Sequence, residues 1–318
     1  MESTKVIGYR DAFQTLTNRD LAQSLYDESA IIMQDVILTT DGNEHVKRRK
    51  TEFHVFRKEI SKKYEKYDFP NILNPILDEA AFKGNANLVE LGHIVTMNVT
   101  ADIAGIDRPL KSKNETENLL RLVKIFSEGA TLVHSLKNKE IIKKKVFQSF
   151  KEFDKDFYIS SFERRKNLLN LFKKGEINED ELPKDILMIL LINQDKLKLS
   201  NDVIKREVAF YLQAGSHSTA NASVHAFHEI IEWKEKHSED KFKLSNDMFF
   251  LQKCVFETLR LHPASPVAWR KAKCPVHLSN LKTVNEGDNV VIDLLGSNRD
   301  KSIFGEDAEQ FNPHRKIL

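Results

Sequence analysis

Cysteine is almost missing: Cys254 and Cys274 are the only two in 318 residues. Two are too few for a disulfide framework or a thiolate zinc site, and fit a reducing compartment. Long apolar runs are also missing. The longest, Ile186 to Ile192, falls well short of the ~20 residues that cross a bilayer. Charges are scattered through the first forty positions, so neither a leader nor an anchor is expected. No charge sign dominates: 49 Lys+Arg against 47 Asp+Glu leave +2, which excludes nucleic-acid binding by bulk charge. Repeats and low-complexity stretches are absent. These absences leave a globular protein, cytoplasmic by expectation, with no nucleic acid or membrane as partner.

What is present reads as many helices and a minor sheet. Val6 to Tyr9 reads as a strand end and Arg10 to Tyr26 as an amphipathic helix. The turn Thr39 to Asn43 starts a basic helical pattern from Glu44 to Tyr67. Further helices are expected over Asn71–Ala81, Leu88–Ile106, Glu115–Val133, Lys139–Lys174 and Asp185–Asn193. Ser200 offers an N-cap, with Asp202 placed for the helix dipole, to a helix running to about Trp233. Its middle, Ala209 to Ala226, is small and weakly polar, as for a helix crossing the interior. Phe249 to His262 is a helix, and Val276 to Ile292, with its turn at Asn285 to Asp288, a small hairpin sheet.

Four groups of residues carry chemistry. His45 and Arg49 lie one helical turn apart, a spacing suited to gripping carboxylates; alone, it also fits a solvated basic face. Ala214-Gly215-Ser216-His217-Ser218-Thr219 falls inside the long helix, where it could equally be a kink padded by small residues. Glu257 and Arg260, three apart in Cys254-Val-Phe-Glu257-Thr-Leu-Arg260-Leu-His262-Pro263, share a helix face and can pair. Pro263 and Pro266 end that helix and stiffen the segment that carries Arg270. Later come Asn298-Arg299-Asp300 and Phe311-Asn312-Pro313-His314-Arg315. His225-Ala-Phe-His228-Glu229 lacks metal-ligand spacing, so no metal site is expected there. Cys254 reads as a packed core residue, and Cys274 as a hairpin residue.

This succession, from about Val6 to Arg315, resembles the soluble, bacterial-like members of the cytochrome P-450 family, haem-thiolate monooxygenases. The resemblance implies a mainly α fold with a small β part and a long central I helix, in one domain over residues 1–318. It implies haem, with its iron, as cofactor. His45, Arg49 and Arg270 would then hold the propionates, and Glu257, Arg260 and Arg315 would form a structural triad. Gly215 would leave room for oxygen, while His217 and Ser218, at the family's acid and threonine positions, would handle protons. The implied reaction is monooxygenation of an apolar small molecule, an oxidoreductase activity fed by a ferredoxin or flavodoxin reductase system.

The family's axial cysteine sits in a loop after the Phe-x-Pro-x-Arg segment, and neither Cys254 nor Cys274 has that context. The expectation is therefore a chain truncated before the ligand loop and helix L, incomplete at both ends, with apolar surface of helices I and K left bare. The thiolate pushes electron density onto iron and favours O–O cleavage. Two alternatives stay open. One is a degenerate, non-catalytic protein of this fold that binds an apolar ligand or a partner without thiolate-ligated haem. The other is a haem protein re-ligated through His217.

Overall fold

The structure, a computed structural model, describes residues 3–26, 28–278 and 283–316. The chain forms two compact units, residues 26–220 and residues 1–25 with 221–318. In chain order the first elements are β1 (Thr4–Val6), α1 (Tyr9–Thr17), β2 (Leu21–Gln23) and α2 (Ala30–Met33). Helices α3 (Gly42–Glu52), α4 (Lys58–Lys63), α5 (Phe69–Lys83), α6 (Leu88–Ala104) and α7 (Lys113–Ala130) follow. Then come α8 (Lys139–Phe153), α9 (Ile159–Lys173), α10 (Ile186–Ile192), α11 (Gln194–Leu197) and α12 (Asn201–Lys236). The remainder is α13 (Lys241–Asn246), α14 (Met248–Leu261), β3 (Val267–Ala272), β4 (Val276–His277), β5 (Thr283–Val284), β6 (Asn289–Asp293), α15 (Leu294–Ser297) and α16 (Lys301–Phe304). The mainly α expectation with a small β part holds. Among the described residues no helix is long and apolar enough to cross a membrane.

The unit of residues 26–220 is helical. Its core gathers Met97, Leu119, Leu122, Phe126, Phe153 and Leu187, all fully buried, with the α12 residues Ile204, Val208 and Leu212. Ile204, Val208, Leu212, Ser216 and Ala220 recur at every fourth position and are all buried, as one face of a helix requires. Ser200 caps α12 by accepting the Val203 N–H at 3.3 Å. Gly105 ends α6 in the left-handed region at φ +88°, and a Cβ there would lie 2.5 Å from Asp185 Oδ1. Glycine meets both demands at once.

The other unit carries the sheets. Its four-stranded sheet has the order β1-β6-β3-β2. β1 runs parallel to β6, while β3 pairs antiparallel with both β6 and β2. Val6, Leu21, Ala272, Val290 and Ile292 fill its buried face.

Three expectations need correction. The helix expected over Arg10–Tyr26 stops at Thr17, because Leu21–Gln23 gives its backbone to β3. The basic stretch Glu44–Tyr67 is broken after Glu52, where Arg57 takes extended backbone and α4 begins anew. Val276–Ile292 is not one hairpin: among the described residues β4 pairs with β5 alone, their connection (279–282) lies outside those residues, and β6 joins the larger sheet. Tertiary pairing overrode local pattern in the first and third cases.

Candidate functional site

In the unit of residues 26–220, Asp41 caps α3 through the Gly42 N–H, and the helix aims its residues three ways. His45 is half-buried and Arg49 exposed. Neither makes a side-chain hydrogen bond or ion pair among the described residues. Arg48, between them, turns inward and is 1% exposed. It pairs with Glu207 of α12, donates to the Asp35 carbonyl, and lies 3.5 Å from Glu52. Tyr211 of α12 donates to Glu52 at 2.8 Å. Burial pushes the Glu52 carboxyl up, against the Tyr211 and Arg48 bonds that pull it down. Burial also raises the Tyr211 hydroxyl, and the adjacent Glu52 adds to it. Two carboxylates sharing one guanidinium bind α3 to α12.

One turn further along α12 comes the small-residue segment. A Cβ on Gly215 would lie 2.8 Å from Thr100 Cγ2 and 3.1 Å from its Oγ1, so the glycine is what allows α6 and α12 to cross this closely. Thr96 Oγ1 adds hydrogen bonds to the Ser216 carbonyl (3.1 Å) and the Gly92 carbonyl (2.8 Å). Ser218 Oγ donates back to the Ala214 carbonyl at 2.7 Å. His217 is half-buried against His93 of α6. Burial, then His93 and Lys124, hold His217 below the ordinary imidazole value. His217 therefore stays neutral at physiological pH, a proton acceptor where the family carries an anion.

The other unit holds the remaining residues. Glu257 is fully buried on α14. Arg260 reaches it through Nε and Nη2, both at 2.7 Å, and donates to the carbonyls of Asn298 (2.7 Å), Ala308 (2.6 Å) and Gln310 (3.1 Å). Arg315 reaches the same carboxylate at 2.9 Å and Asp307 at 2.8 Å. Two guanidinium groups thus meet two carboxylates, and charge closes on itself. Such a cluster organises backbone rather than substrate.

Arg270 lies on the interior strand β3, half-buried, bonded to Gln23 Oε1 at 2.7 Å and to the Trp269 carbonyl. Burial depresses its guanidinium, and it has no carboxylate partner among the described residues. Cys254 is fully buried, and burial pushes its thiol up to about 11, the opposite of a thiolate ligand. Cys274 packs half-buried beside β4. His225 stacks on His262 at 4.3 Å between centroids, and no group of three or more His, Cys, Asp or Glu that could hold a metal ion occurs among the described residues. A cavity of about 780 Å³ opens between α5 and α6 and contains none of the residues named from sequence.

The donor set permits a direct test of haem. His45 and Arg49 in the unit of residues 26–220, and Arg270 in the other, form no carboxylate ion pair among the described residues. Cys254, buried and held as a thiol, does not suit the haem iron. Sequence reasoning missed Arg48 and His93, whose partners lie 159 and 124 positions away.

The cytochrome P450 family model matches residues 14–315. Over 127 residues (35% of the chain and 26% of the relative) the chain is 30% identical to a probable cytochrome P450 313a1 of Drosophila melanogaster. It is 24% identical over 161 residues (46% of the chain) to 15% of a bifunctional cytochrome P450/NADPH–P450 reductase of Bacillus subtilis. The matches span well under half of these relatives' length. The solved structure of CYP109E1 from Bacillus megaterium in complex with testosterone aligns with 98% of this chain and 75% of its own, at TM-score 0.73 and 19% identity. That likeness concerns the fold.

Proposed function

The chain belongs to the cytochrome P450 family, and from that premise we propose that it serves a haem-dependent monooxygenase acting on an apolar small molecule. Haem, when bound, supplies the reductive activation of dioxygen. The reading is supported by three basic residues that form no carboxylate ion pair among the described residues, His45 and Arg49 in one unit and Arg270 in the other, each at a position that the resemblance gives to propionate binding. Charge-assisted bonds to a carboxylate are strong where the guanidinium is already partly desolvated, as Arg270 is. Ser218 would donate its hydroxyl at the distal helix, and His217 would accept and release a proton at Nε2. Glu257, Arg260 and Arg315 would keep the proximal backbone fixed.

In this reading the two units belong to one P450-like domain. The protein works in the cytoplasm and draws electrons from a ferredoxin or flavodoxin reductase system. The Bacillus subtilis relative, named as bifunctional with an NADPH–P450 reductase, supports a reductase as electron source in general, and the testosterone-bound neighbour supports an apolar substrate. A second reading, a non-catalytic relative that binds an apolar ligand without thiolate-ligated haem, is favoured by one observation: Cys254 is fully buried and its thiol is pushed up rather than down.

Absorption spectra of the chain with added haem, reduced with and without carbon monoxide, test both readings. The proposal expects haem uptake that weakens at least tenfold in the Arg49→Ala and Arg270→Ala variants. Uptake indifferent to both substitutions overturns the propionate assignment, and no uptake at all favours the second reading.

A further inference from the structure

The rings of His93 and His217 meet edge to face, with centroids 5.2 Å apart and planes at 70°. Nδ1 of His93 and Nε2 of His217 are buried, and neither has a hydrogen-bond partner among the described residues. The helices presenting them are locked together one turn away by the Gly215–Thr100 contact and the Thr96–Ser216 bond, so the rings are held at close range. The charged group facing both rings is Lys124 of α7. On α12 the neighbouring Gln213 and Ser216 are neutral, as is Thr96 on α6. Two imidazolium ions this close, beside a lysine and partly out of water, repel strongly.

We propose that His93 and His217 act as one unit that carries a single proton along the distal helix, with His93 as the positioning residue that loads His217. In the transfer the N–H bond at Nδ1 of a charged His93 breaks and an N–H bond forms at Nε2 of neutral His217. The positive charge moves with the proton. Titration of such a pair belongs to the pair, not to either ring. The use made of the proton rests on the function proposed above; the pairing does not.

The test is an NMR titration of histidine-labelled, haem-free chain. The His217 curve should be biphasic in the wild type, and its midpoint should move upward in His93→Gln, where the neighbouring charge is gone. Lys124→Gln, an exposed change, should raise both midpoints. A single-step His217 curve, or one that His93→Gln leaves in place, overturns the pair. Should His93→Gln fail to fold, the wild-type curve shape and the Lys124→Gln shift decide. Haem uptake fails or succeeds separately, so loss of the monooxygenase reading would leave this result readable.

Discussion

Arg48 is the side chain on which the α3 junction depends. It is the cation shared by Glu52 and Glu207, both fully buried. Removing it strands two carboxylates away from water, the case in which a broken buried pair costs about 3–5 kcal/mol. Arg48→Ala should lose stability on that scale in urea unfolding, whereas Arg49→Ala, exposed on the next position, should lose less than about 0.5 kcal/mol. Comparable losses would mean that the junction is not held by this cation. Asp240 offers a different handle. It is buried, which alone would raise its carboxyl, but bonds from Lys243 (2.8 Å), His314 (2.6 Å) and Trp233 (3.1 Å) bring it down to about 2. A depressed carboxyl stabilises the fold fully above its unfolded value, near 3.8, and that contribution disappears as pH falls through about 2. The stability gap between wild type and Asp240→Asn should therefore be constant above about pH 5 and close between pH 4 and 2. A gap that persists at pH 2 would assign the loss to packing instead.

At the scale of the element, the crossing of α6 and α12 rests on a missing side chain. Gly215→Ala puts a methyl 2.8 Å from Thr100 Cγ2, and overpacking of this kind costs about 1–3 kcal/mol. Thr100→Ala should restore part of the loss in the double variant, and strict additivity would show that the two sites do not touch. The glycine was legible in sequence because it stands in a recognisable run, as were Ser200 as a cap and Glu257 and Arg260 at a spacing of three. What could not be read were features made by distant partners. Leu21–Gln23 is a strand because β3 lies beside it, although its local pattern continues a helix. His93 and Arg48 look like ordinary helix residues until α12 is packed against them. Local periodicity records which face is apolar, and is silent on which distant side chain meets it.

Over the whole molecule, the apolar surface left in contact with water has a consequence. On α14, Phe249 is 79% exposed and Phe256, seven residues on, 48%, with Val255 and Leu259 beside them. In the same unit α12 adds the exposed Phe227 and Ile231. Isolated apolar side chains on a surface are ordinary, but several large ones exposed on two helices of one unit favour association. A net charge of +2 on 318 residues supplies little repulsion to oppose it. The chain should therefore brighten an apolar dye while fully folded, and its sedimentation should grow heavier with concentration. Phe249→Ser with Phe256→Ser should reduce both effects and leave the cooperativity of urea unfolding unchanged, because neither ring belongs to the core. If the double variant binds as much dye and associates as readily as the wild type, the sticky surface lies elsewhere in the chain.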